Sequence, residues 1–166
     1  MLIWYLATAA VGVWAVFDSP ALDYRLVMVG AVLPVGEVVL GRPGPLHSMV
    51  TAVVALTAVM LATRGRRLAR RRWLGIPIGL LGYLVFSGTW ADTTAFWWPL
   101  VGLELSGAEP PELARGALTI VLEVAGIGLG WWWYRRVGLD DDVNRLRFRR
   151  TGQLPRATMP PVRGSC

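Results

Sequence analysis

The sequence predicts an all-α fold, a polytopic integral membrane helical bundle with four or five spans and a broken or re-entrant segment near residues 26–40. Three observations carry this expectation. Apolar runs near membrane-spanning length recur, and with 54% hydrophobic residues and nine Trp the chain has too little polar sequence to cover them in water. Arginines cluster beside these runs, where they orient helices across a bilayer. Breakers and ionisable groups interrupt one stretch, Leu33 to Ser48, with Pro34, Gly36, Glu37, Arg42, Gly44, His47 and Ser48. Irregular backbone at membrane depth is tolerated only where protein buries it or water reaches it, so a site is sought there first.

Leu2 to Phe17 is a continuous apolar run without a basic segment before it or a small-residue cleavage site after it, and reads as a retained first helix. Pro20 ends it, and Asp23 and Arg25 make a short polar connection. Leu26 to Leu40 is 15 residues, about 22 Å of helix, against a hydrocarbon core of about 30 Å. Two topologies follow. If this run crosses, there are five spans and an external N-terminus; if it is re-entrant there are four and a cytoplasmic N-terminus. The short length, Pro34 and Gly36 favour the second, with Glu37 in a pocket between helices.

Leu46 to Thr63 reads as a clean span with His47 and Ser48 at its N-terminal end. The run RGRRLARRR after it holds six arginines between Arg64 and Arg72 and assigns that loop to the cytoplasm. Trp73 to Trp90 returns outward, and the spacing of Gly75 and Gly79 permits close approach to a neighbouring helix. The segment to about Pro111 carries Asp92, Glu104 and Glu109 without a basic residue, as an external loop does. Leu113 to Tyr134 is the last span, closed by an interfacial Trp131–Tyr134 cluster and by Arg135 and Arg136, which hold the tail inside. Gly126, Gly128 and Gly130 suggest tight packing. Glu123 lies near its middle, where an unpaired charge costs several kcal/mol.

The chain divides at residue 136. Residues 1–136 form the transmembrane helical domain; 137–166 form a basic cytoplasmic tail. In the tail Asp140 to Asp142 cap a short amphipathic helix carrying Val143, Leu146 and Phe148, with disorder expected after Thr151. The net charge of +6 comes from arginines beside apolar runs, so the expected partners are the lipid bilayer, anionic headgroups at Arg64–Arg72 and the tail, and a helix–helix oligomer, with no nucleic acid. The single cysteine, Cys166, provides no internal disulfide and no paired metal motif.

The order of motifs from Leu26 to Pro99 resembles the membrane-bound, metal-dependent hydrolases, the YdjM-like group of inner-membrane proteins. That family shows L-P-D-x-D, then H-R-G-x-T-H-S opening a helix, then H-x-x-x-D and a W-P. Here the first motif falls on Leu33, Pro34, Val35, Gly36 and Glu37, keeping one carboxylate. The second falls on Arg42 to Ser48, where His47 and Ser48 match and Arg42 replaces a histidine. The third falls on Tyr83 and Ser87, neither of them the family's residue, while Trp98 and Pro99 match. The resemblance implies a bacterial plasma membrane protein with a degenerate site in which Glu37 and His47 are the catalytic and metal-holding residues.

The metal expected from the resemblance is one divalent ion, zinc, manganese or iron, activating water against a membrane-accessible substrate. Arg42, Tyr83, Ser87, Asp92 and Glu123 are further cavity candidates. Arg42, standing where the family has a histidine and five residues from Glu37, suggests a different use of the cavity: its guanidinium replaces the metal's charge by pairing with Glu37. The bland counterparts are a helix cap for His47, interhelical hydrogen bonds for Tyr83 and Ser87, and a single buried, hydrogen-bonded carboxyl for Glu123. The other function that fits these residues is a non-catalytic binding or assembly protein whose glycine-rich faces meet a partner; transport requires Glu37 and Glu123 to share one water path.

Overall fold

Residues 1–17, 19–39, 44–102 and 116–155 are described by the computed structural model. Of these, 77% are helical, with no strand among the described residues, so the fold is all-α as expected. α1 spans Leu2–Phe17, the bounds the apolar run suggested. The Thr8 hydroxyl donates to the Trp4 carbonyl at 2.7 Å, which offsets the cost of burying it.

α2 spans Tyr24–Val39 and passes through Pro34 without breaking. The broken or re-entrant segment is therefore corrected: residues 26–39 lie on one continuous helix. Pro34 forfeits a ladder hydrogen bond at about 3 kcal/mol. Packing against α5 (Gly75–Ser87) offsets that loss. A Cβ at Gly79 would overlap the Val27 carbonyl, one at Gly30 the Ile76 carbonyl, and one at Gly75 would lie 2.9 Å from the Asp23 carbonyl. The two backbones touch along a parallel crossing, and the neighbouring helix that the Gly75–Gly79 spacing permits to come close is α2.

A 3₁₀ turn, Pro45–His47, precedes α3 (Met49–Ala62). The helix starts three residues later than the apolar run does because Ser48 caps it, accepting from the Val50 N–H at 3.1 Å. The arginine run forms α4 (Arg67–Trp73), which leads through Leu74 into α5. Pro77, in the first turn of α5, lacks the N–H that would bond the Trp73 carbonyl. Gly88, at φ +75°, ends α5 in the left-handed conformation that glycine tolerates best. Then come a 3₁₀ turn, Thr89–Ala91, and the one-turn α6 (Thr93–Phe96).

α7 spans Leu118–Arg136 and runs parallel to α1: Gly126 meets the Trp4 backbone and Gly130 the Ala7 side chain. Of the three glycines expected to pack tightly, Gly126 and Gly130 face α1, while Gly128 faces open space. α8 (Asp142–Thr151) is the expected tail helix, but the Asp141 side chain at its N-cap makes no capping hydrogen bond. Phe148 packs on Trp133, with ring centroids 6.3 Å apart, while Val143 and Leu146 are exposed. The expectation of disorder after Thr151 is corrected for 152–155: Leu154 is buried, and the Gly152 carbonyl accepts from the Tyr24 N–H at 2.9 Å. The remainder of the tail lies outside the described residues.

α1, α3, α5 and α7 occupy the places of the four expected spans, and all but α1 are shorter than those runs. No helix among the described residues is long and apolar enough to cross a membrane. The longest, α7, has 19 residues and carries Glu123, Arg135 and Arg136.

Candidate functional site

The C-terminal end of α2, the 3₁₀ turn before α3 and the C-terminal half of α5 converge. Glu37, on the last turns of α2, accepts from the Leu46 N–H at 3.1 Å and lies 3.2 Å from Nδ1 of His47. Gly44 makes room for it, since a Cβ there would overlap the carboxylate. His47 is 1% exposed, and its Nε2 lies 2.9 Å from the Tyr83 hydroxyl. A carboxylate only accepts, so Nδ1 carries the proton, and in the neutral imidazole Nε2 accepts from Tyr83. Tyr83 is itself buried and meets the Tyr5 ring edge-on, with centroids 4.8 Å apart. One chain of hydrogen bonds thus ties three elements together.

Ser48, beside His47, donates to the Phe96 carbonyl at 3.3 Å and to the Trp98 carbonyl. The turn before α3 and the Trp98–Pro99 segment are therefore in direct contact, although about 50 residues separate them. Ser87 joins a different pair, its hydroxyl 2.6 Å from that of Thr89. Asp92 accepts from the Thr94 hydroxyl at 2.6 Å and from the Thr94 N–H at 3.0 Å, and so caps α6. Glu123 accepts from the Ile3 N–H at 2.9 Å and the Trp4 N–H at 3.2 Å, with its other oxygen 2.8 Å from the Met1 amino group. It caps the start of α1, where unpaired amides favour an anion. Arg42, Glu104 and Glu109 lie outside the described residues.

Of the expected residues, Glu37, His47 and Tyr83 come together; Ser87, Asp92 and Glu123 each serve local hydrogen bonding. An open catalytic metal site takes three protein ligands. Among the described residues no three of His, Cys, Asp and Glu gather. His47 already uses both ring nitrogens, so it can ligate only by giving up Glu37 or Tyr83. The described donor set does not make a three-ligand shell.

Sequence reading missed Tyr5 and the pair Asp23–Arg25. Tyr5 is a polar aromatic inside an apolar helix, a signal that it seeks a polar neighbour. Asp23 is 2% exposed at the opposite end of α2 and is paired with Arg25 at 3.3 Å and with Arg72 at 3.5 Å. Arg25 also donates to the Arg149 carbonyl at 2.5 Å and the Arg150 carbonyl at 3.5 Å, capping the C-terminal end of α8. Two carboxylates, Asp23 just before α2 and Glu37 near its C-terminal end, mark both clamps.

Compared with known proteins, the chain matches no family model, no curated protein and no solved structure.

Proposed function

We propose that this chain is a membrane-embedded helical protein on the scaffold of the membrane-bound, metal-dependent hydrolases. In this reading its polar centre is a structural clamp in place of a metal centre, and its work is binding or assembly in the bilayer. The observation that carries the reading is the Glu37–His47–Tyr83 chain, closed at both imidazole nitrogens, with His47 and Tyr83 buried. The contact between Ser48 and Trp98 favours the hydrolase-like scaffold, because it joins two of the motifs that carry the resemblance.

Exposed apolar side chains favour the membrane placement. Val54 and Leu61 on α3, Val85 on α5, and Ile120, Val121 and Val124 on α7 all stand well exposed. A surface of this kind demands lipid or a partner. With α2 running beside α5 from the arginine end, the five-pass arrangement is the better fit: external N-terminus, Arg64–Arg72 and tail cytoplasmic. The helices, of 13 to 19 residues, fall below the roughly 20 needed to span. Local bilayer thinning and snorkelling arginines absorb that mismatch.

The test is a pair of measurements on the full chain. Alkaline carbonate extraction of membranes leaves it in the pellet, and release into the supernatant overturns the membrane placement. In detergent its melting midpoint is unchanged by a strong chelator, and a fall of several degrees, restored by added metal, overturns the clamp.

A further inference from the structure

We propose that the groove between α1, α7 and α8 binds an anionic phospholipid, with the acyl chain along its apolar walls and the phosphate at Arg145 and Arg149. The proposal rests on the membrane placement above and names the lipid that the bound state selects. The groove has a volume of about 650 Å³. That lies inside the roughly 300–1,000 Å³ range of small-ligand sites.

Its shape follows from the parallel packing of α1 and α7. Ile3 and Ile127 line it at the end where α1 starts, while Tyr134 and α8 line it at the other. Gly126 and Tyr134, which both border it, are eight residues apart on α7, about 12 Å of helix. Ala7 and Gly130 keep the wall low between them. Among the described residues the charged side chains on the wall are Arg145 and Arg149, both cationic and both on α8.

The charge sits where a headgroup would. Trp131 and Tyr134 border the groove just before the arginines, and aromatic residues of this kind favour the headgroup level of a bilayer. Arg145 is held by an exposed Asp142, 3.3 Å away, and by the carbonyls of Leu139 and Asp140. An exposed pair of that sort leaves most of its charge available. The Arg149 guanidinium forms no ion pair among the described residues. A helix from a second copy would have to desolvate both arginines, and a free phosphate would leave the apolar wall uncovered. A phospholipid satisfies both ends.

The test uses the full chain purified in detergent and exchanged into mixed micelles of phosphatidylglycerol or phosphatidylcholine, with bound lipid counted by native mass spectrometry. Wild type retains one phosphatidylglycerol at least ten-fold more tightly than phosphatidylcholine. The double variant Arg145→Gln/Arg149→Gln loses that preference at an unchanged melting midpoint, and Arg145→Lys/Arg149→Lys keeps it. Gly130→Leu, which narrows the groove, lowers retention of both lipids. Equal retention of the two lipids by wild type, or a preference that survives the glutamine variant, overturns the proposal. Because retention is read in micelles, that failure is distinct from release of the chain by carbonate.

Discussion

The two ends of α2 are held by opposite means. At its C-terminal end Glu37 is partnered by the His47 imidazole and a backbone N–H and, through the imidazole, by a tyrosine. At its N-terminal end Asp23 is partnered by Arg25 and Arg72, whose guanidiniums reach the surface, and by a glycine turn from the tail. The difference teaches what each clamp is made to resist. A closed hydrogen-bond chain drawn largely from the interior is little screened by salt, but its members lose partners when one is removed. A half-exposed ionic cluster is screened by salt, and its arginines turn to water when the carboxylate goes.

The largest effect is expected at the C-terminal end of α2. His47→Ala removes the imidazole that bonds both Glu37 and Tyr83 and opens a cavity, lowering stability by about 3 kcal/mol. Chemical denaturation in detergent checks it, and a loss below about 1 kcal/mol would break the contrast. Next comes Asp23→Ala, at about 2 kcal/mol, since it leaves two arginines that water can still reach. Its particular sign is early proteolysis after α8, because the tail loses its anchor. Raising salt shrinks the effect of Asp23→Ala and leaves that of His47→Ala unchanged, which sharpens the comparison.

Smaller still is Gly152→Ala. Its φ of +69° and the proximity of the Asp23 carboxylate make any side chain strained there, at about 1–2 kcal/mol. Tyr83→Phe keeps the ring against Tyr5 and removes one hydrogen bond, about 1 kcal/mol. Both are read from shifts in the denaturation midpoint.

What the sequence made legible divides along the same line. The apolar runs located α1, α3, α5 and α7, and Gly75 and Gly79 marked a close helix approach without naming its partner, because a missing Cβ has one obvious packing use. Glu37 and His47 stood out as costly groups among apolar neighbours, and the structure brings them together. Pro34 misled, since its local penalty is outweighed by packing that only the tertiary fold supplies. Ser87 and Asp92 share the hydroxyl and carboxylate chemistry of site residues but satisfy near neighbours, a distinction that spacing does not encode. Leu154 was hidden because one apolar residue in a polar tail carries no periodicity.

The central claim is that Glu37, His47 and Tyr83 form a clamp and not a metal centre. Elemental analysis of the detergent-purified full chain, beside Glu37→Gln and His47→Ala, tests it most directly. The account predicts no zinc, manganese or iron near stoichiometry in any of the three samples. Near-stoichiometric metal in the wild type, lost in both variants, would contradict it and return the site to hydrolytic chemistry.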